Sequence, residues 1–245
     1  MAALPELPEV AGVNHRYLEV DGIRFHIAEA GGGEPLVMLH GWPQNWYMWR
    51  RLVAPLGERY RLIMPDLRGL GWSDAPPSGY NKERLASDVL ALLDQLGVDR
   101  FRLMGHDWGG LISYFIALRE NSRVERLMPL NIIHPWPSQP ALLRNLPRSI
   151  YAYRNALGLG ARQMRDAPER FSKAMDSDLG RTGAISDADL RIYIGTLSLP
   201  GRERVTTQVY RDFMTREVFA LGFGRYRSRR LRCLPWCPSA RRTRP

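Results

Sequence analysis

The sequence predicts an α/β fold, a mostly parallel sheet that carries a helical insertion and lacks its final strands. Three observations predict it. Short apolar runs alternate with stretches of helical spacing up to residue 133, the rhythm of strands joined by helical crossovers. An apolar run at 101–104 leads into Gly105-His106-Asp107-Trp108-Gly109, and an apolar helix-like run at 111–118 leads out of it. From Pro135 the rhythm breaks, and helix-like stretches continue to about residue 219 with no convincing strand.

Each element has a local reason. Residues 16–30 alternate apolar and polar side chains around Asp21-Gly22, a hairpin pattern that Gly31-Gly32-Gly33 ends. Residues 35–39 form a short apolar run suited to a buried parallel strand. Residues 46–56 have helical spacing, and 61–64 form another strand running into Pro65-Asp66. Asn81 is a helix N-cap candidate; Leu85, Val89, Leu92, Leu93 and Leu96 then share one face, and Gly97 supplies the stop. The strand at 101–104, its helix, and a further strand at 124–133 complete the series, with no internal repeat.

The expected organisation is residues 1–134 as the N-terminal part of the core, 135–219 as a helical cap, and 220–245 as an atypical basic tail in place of the C-terminal part of the core. Pro135, Pro137, Pro140 and Pro147 punctuate the start of the insertion. With 245 residues and 44% hydrophobic content the chain can bury a sizeable core. Of its 35 basic residues only Lys82 and Lys173 are lysine, and eight arginines with no acid fall between 218 and 245, so most of the net charge of +10 belongs to the tail. Such a tail reads either as an uncommitted charged terminus or as a nonspecific contact for anions; no specific nucleic-acid partner is implied.

Cys233 and Cys237 also sit in the tail. A lone C-x-x-x-C falls short of the four ligands zinc requires, so neither a metal nor a cofactor is expected. The first ten residues carry Glu6 and Glu9 and no basic start before an apolar run, unlike a secretory signal. No apolar stretch approaches the roughly 20 residues of a membrane span, and a cytoplasmic location is the default expectation.

Asp107 is the candidate nucleophile. A strand, a sharp turn and a helix expose the turn residue, and here that residue is Asp where serine hydrolases carry Ser. A carboxylate is already ionised near neutral pH, needs no base before it attacks, and suits a saturated electrophilic carbon. The alternative is an Asp that merely caps the following helix.

Three motifs, His40-Gly41-Trp42-Pro43, Asp66-Leu67-Arg68-Gly69-Leu70-Gly71-Trp72-Ser73-Asp74 and Gly105-His106-Asp107-Trp108-Gly109-Gly110, together with tyrosine-bearing stretches beyond 135, carry a resemblance over about residues 16–223. The chain resembles the α/β-hydrolase superfamily, in the branch of the epoxide hydrolases and haloalkane dehalogenases. The resemblance implies an oxyanion hole from the backbone N–H groups of Trp42 and Trp108. His40, Gly41 and Pro43 then support that loop, with His40 orienting it rather than moving protons, and Pro43 restricting Trp42 to extended backbone. No proton transfer is assigned to His106.

Two cap tyrosines would donate O–H groups to an epoxide oxygen, and Tyr153 and Tyr210 match those places, although Tyr151 could serve instead of Tyr153; packing tyrosines are the competing reading. A halide would need N–H donors, with the Trp108 indole first and Trp136 as a conceivable second. Trp42 stands where many dehalogenases carry Asn, which favours a small epoxide over an alkyl halide as substrate.

The resemblance also implies a histidine after the last strand and an acid after the strand that follows the cap or, in some members, precedes it. All five histidines, His15, His26, His40, His106 and His134, lie in the first 134 residues, and 131–134 contains no acid. Residues 229–232 look like the approach to the post-cap strand, but Cys233-Leu234-Pro235-Trp236-Cys237-Pro238 and an arginine-rich end follow. A shifted reading frame near Arg232 in GC-rich coding would account for this composition, for both cysteines and for the missing histidine. The expectation is therefore an epoxide hydrolase-like enzyme impaired in ester hydrolysis, with a haloalkane dehalogenase or a non-catalytic truncated product as alternatives. Of the histidines present, His134 alone lies near the cap entrance.

Overall fold

A computed structural model describes residues 4–138, 140, 150–167, 169–171, 173–174, 185–232 and 234–235. The first hairpin pairs β1 (Val13–Val20) with β2 (Ile23–Ala30) in antiparallel register from Val13↔Ala30 to Val20↔Ile23. Asp21 and Gly22 both take positive φ, 51° and 72°, which matches the twist of the two strands. Then follow β3 (Glu34–Leu39), a 3₁₀ turn at Trp46–Trp49, α1 (Arg50–Gly57), β4 (Tyr60–Pro65), α2 (Lys82–Gln95), β5 (Phe101–His106), α3 (Trp108–Arg119) and β6 (Val124–Leu130). The sheet order is β1-β2-β4-β3-β5-β6, parallel from β4 onward.

Buried side chains form a cluster on each side of the sheet. One joins Phe25, Ile27, Val37, Leu39, Ile63 and Leu103 of the strands to Leu85, Val89, Leu92 and Leu93 of α2 and to Leu111, Ile112 and Phe115 of α3. The other joins Leu36, Met38, Leu62, Met64 and Met104 to Trp46, Trp49 and Val53. Helix α3 is apolar nearly all round and buried, as its place between the sheet and the helices above it requires. Asn81 caps α2 by accepting from the Arg84 amide.

Among the described residues between Leu130 and Leu234 every regular element is helical: α4 (Ile150–Ala156), α5 (Leu159–Asp166), α6 (Asp187–Leu197), α7 (Arg202–Asp212), a π-helical turn at Phe213–Glu217 and α8 (Val218–Gly222). Buried polar contacts fasten them to the core. Arg50 pairs with Asp189, Asn45 donates to Thr196, and Arg202 donates to the carbonyls of Gly71 (3.1 Å) and Ser73 (2.6 Å).

Three expectations change. The strand expected over 124–133 ends at Leu130, and Asn131 at φ 51° turns the chain away. Helix α8 continues across the expected 219/220 boundary. The final part of the sheet is not wholly lacking: β7 (Leu234–Pro235) pairs in parallel with Arg126 and Leu127 of β6. A strand this short needs backbone alone, and Pro235 is tolerated because an edge has one side unpaired. Cys233, Cys237 and the tail arginines Arg241, Arg242 and Arg244 lie outside the described residues. No described helix is long and apolar enough to cross a membrane.

Candidate active site

Asp107 occupies the tight turn between β5 and α3 at φ 50°, ψ −125°, a conformation an L-residue adopts only where its surroundings enforce it. Its N–H donates to the Leu130 carbonyl at 3.0 Å, and its carbonyl accepts from Gly110 at 2.8 Å, which pins both ends of the turn. The flanking glycine is obligatory, since a Cβ on Gly105 would stand 2.8 Å from the Gly110 nitrogen. The turn therefore lifts the Asp107 side chain out at the carboxyl ends of the parallel strands.

Beside it, the loop after β3 supplies the second wall. Trp42 donates its backbone N–H to Asp107 Oδ2 at 3.0 Å, and the Trp108 amide also donates to this carboxylate. Gly41 makes the approach possible, because a Cβ there would lie 2.6 Å from Oδ2. The Trp42–Pro43 bond is cis. His40 is fully buried, donates from Nδ1 to the Gly41 carbonyl (2.9 Å) and accepts at Nε2 from the Leu67 amide (3.0 Å). Both ring nitrogens thus hold backbone, and burial lowers its pKa.

Burial pushes the Asp107 carboxyl up to about 6, against the opposing pull of the Trp108 and Trp42 amides and of the Lys82 ammonium. Opposite it stand two tyrosines. Tyr210, on α7, is fully buried, with its ring 5.4 Å from that of Trp42 and 5.2 Å from that of Trp108. Tyr151, on α4, stacks edge-on to Tyr210 at 5.9 Å, and the two hydroxyls hydrogen-bond. Burial first, and then the Asp107 charge, raises the pKa of both, so both stay protonated near neutral pH, where Asp107 is ionised.

Tyr153 lies two residues beyond Tyr151 on the same helix, about 200° round its axis. Of the two, Tyr151 is the one whose ring meets that of Tyr210. Trp136 is also withdrawn as a halide donor, since its indole N–H donates to the Tyr226 carbonyl at 2.7 Å. The Trp42 indole donates to Thr206 Oγ1 at 3.0 Å. The Trp108 indole N–H is buried beside the Tyr210 hydroxyl without a well-formed hydrogen bond.

A sequence profile of the α/β-hydrolase fold matches residues 34–162. The soluble epoxide hydrolase of Corynebacterium sp. strain C12 is 35% identical over 209 residues, covering 81% of this chain and 72% of that protein. The chain belongs to the α/β-hydrolase family, on its epoxide hydrolase branch. Mouse epoxide hydrolase 4 is 32% identical over 82% of this chain and 60% of its own length. The crystal structure of Cfl2 from Burkholderia cenocepacia superposes with a TM-score of 0.73 at 30% identity, over 90% of this chain and 76% of that one. Curated relatives of this kind are matched over 39% to 72% of their own length.

Within this hydrolase fold the five histidines are all committed away from Asp107 or left without an acid. His26 Nδ1 meets Asp66 Oδ2 at 2.8 Å, and His15 meets the other nitrogen of His26 at 3.0 Å. Asp66 also accepts from the Trp46 and Trp72 amides, so this buried cluster braces the loop that follows β4. His106 Nδ1 is buried with no partner, and burial lowers its pKa. His134 is exposed and accepts the Trp136 amide at 3.1 Å.

A cavity of about 110 Å³ lies between Trp42, Tyr151, Asn155 and Phe171; Asp107 and Tyr210 do not line it. Sequence reasoning missed Lys82, which is fully buried with its ammonium 4.1 Å from the centroid of the Trp108 ring. Its signal was compositional: it is one of two lysines among 35 basic residues.

Proposed function

We propose that the chain opens small epoxides by covalent catalysis at Asp107. The observation that carries this reading is one carboxylate held by the Trp42 amide and faced by Tyr210, whose ring packs on Trp42 and Trp108, and by Tyr151 against Tyr210. The Asp107 oxygen not engaged by Trp42 attacks an epoxide carbon, and the carbon–oxygen bond of the ring breaks. The released oxygen takes a proton from Tyr210, with Tyr151 hydrogen-bonded behind it, which leaves a hydroxyalkyl ester on Asp107. The Corynebacterium relative carries the name of an epoxide hydrolase, which supports a small-molecule substrate of this class.

In the second half-reaction water attacks the ester carbon, and the Trp42 and Trp108 amides stabilise the charge that develops on Oδ2. Activating that water calls for a base. The described histidines do not supply one beside Asp107, and no histidine follows His134 in these 245 residues. The proposed chemistry is thus a fast alkylation followed by slow ester hydrolysis.

One observation favours a second reading. The buried Trp108 indole N–H without a partner is the donor a leaving halide would need, as in a haloalkane dehalogenase. The indoles of Trp42 and Trp136 are engaged elsewhere and do not supply a second donor. Separate incubation of the full chain with styrene oxide and with a bromoalkane, followed by peptide mass spectrometry, distinguishes them. An adduct on Asp107 from the epoxide alone, absent in Asp107→Ala, is expected. Bromide release without any epoxide adduct moves the assignment to dehalogenase. No adduct and no product from either compound leaves a non-catalytic chain.

A further inference from the structure

Lys82 is the first residue of α2 and has no exposed surface. Its ammonium lies over the Trp108 ring, 4.1 Å from the centroid, and pairs with Glu217 Oε2 at 3.1 Å. It also donates to the carbonyl of Val209, the residue before Tyr210. The Lys82 backbone N–H donates to the other oxygen of Glu217, so this carboxylate seats on the N-terminus of α2 as well. Glu217 closes the π-helical turn Phe213–Glu217, a local widening of the kind found at functional sites.

A buried ammonium is costly to desolvate, and a packed apolar side chain in its place is often neutral or stabilising. Stability therefore gives a weak reason for a lysine here. Its contacts give a better one: Trp108 follows Asp107 in the chain, and Val209 precedes Tyr210.

We infer that Lys82 is a positioning residue of the Asp107 site, setting the charge beneath Trp108 and tying the Tyr210 helix to the core. This rests on Asp107 as the reacting group of the proposed function. The groups that face Asp107 are Lys82 from α2, Tyr151 from α4 and Tyr210 from α7; of these only Lys82 can place a positive charge there, its pKa lowered by burial and held up by Glu217. Those that face Lys82 are Glu217, Asp212 and Asp107. The Lys82 charge, itself supported by Glu217, holds the Asp107 pKa down against burial, so its loss moves Asp107 upward.

The test is a direct titration of the Asp107 carboxyl by carbon NMR in the full chain, assigned with Asp107→Asn, alongside the pH dependence of epoxide adduct formation. Lys82→Gln is expected to raise the Asp107 midpoint by about one pH unit and to move the acid limb of alkylation with it. Lys82→Met, which fills the same space without charge, is expected to raise both as Lys82→Gln does. A folded Lys82→Gln chain with an unchanged midpoint overturns the inference. If Lys82→Gln does not fold, Lys82→Met decides, and a midpoint that stays or falls overturns it. The NMR midpoint needs no substrate, so absence of any adduct in the unaltered chain would count against the epoxide reading and leave this inference standing.

Discussion

The Trp42 amide meets Asp107 Oδ2 at 3.0 Å, joining two positions 65 residues apart in the chain. One N–H thereby fixes the rotation of the Asp107 carboxylate and, in the proposed reaction, leaves the other oxygen to attack and meets the charge that develops on Oδ2. The approach depends on Gly41, whose missing side chain leaves room for the Asp107 carboxyl.

Gly41→Ala therefore tests the relationship without removing any donor. A methyl group at that position forces Asp107 or the loop aside, and a displacement of about 1 Å at reacting atoms costs about 10²-fold in rate. We expect a folded chain by circular dichroism, and adduct formation slowed by about 10- to 100-fold. Alkylation at the unaltered rate would show that the contact does not orient the nucleophile.

Tyrosine substitutions separate the two faces of α4. Tyr210→Phe is expected to slow alkylation by about 10²-fold, since it removes the proton donor to the opening ring. Tyr151→Phe, which removes the hydroxyl hydrogen-bonded to Tyr210, should slow it by about 10-fold, while Tyr153→Phe stays within about 2-fold because it stands about 200° round α4 from Tyr151. Single-turnover adduct formation followed by intact mass reads all three. A larger loss from Tyr153→Phe than from Tyr151→Phe would reverse the assignment.

The raised Asp107 pKa makes two signed statements about pH. Alkylation should rise as pH increases through about 6 and then level, since only the ionised carboxylate attacks and both tyrosines remain protonated. Stability should show the opposite cost. Burial disfavours the charged form, so the penalty is absent below pH 4, grows between 4 and 6, and is complete above 6. Asp107→Asn should then be more stable than the unaltered chain by about 1–3 kcal/mol above pH 6, with no difference at pH 3.5. Denaturant melts at the two pH values check it, and equal stability throughout would show that the site carries no such strain.

The core was legible in the sequence because local signals and tertiary demands agree there. Asp21-Gly22 supplies two positive φ values, Asn81 caps α2, and the apolar run before Asp107 fits only a buried strand. Local backbone around Asp107 was legible where a motif fixes it, as at Gly41, Trp42 and Trp108. It was ambiguous where orientation depends on helix phase: Tyr151 and Tyr153 differ by half a turn, and only the packing of α4 against α7 selects one. Lys82 was hidden for a different reason. A lysine at the start of an amphipathic helix reads as solvated, and nothing local reveals that α7 and Glu217 close over it.

The last prediction concerns the fate of the ester. Asp107 needs no base to attack, whereas hydrolysis of its ester needs an activated water, and loss of a general base typically costs about 10² to 10⁴ in rate. His40 is locked between two backbone groups, His26 serves Asp66, His106 is buried without an acid, and His134 turns to Trp136. The purified 245-residue chain given excess epoxide should accumulate one equivalent of hydroxyalkyl adduct on Asp107 and release little diol over hours. Brief treatment with mild alkali should liberate that diol, because hydroxide replaces the missing base. Steady multiple turnover without a detectable adduct would show that another group activates water, and would overturn the stalled-ester reading while leaving Asp107 as the nucleophile.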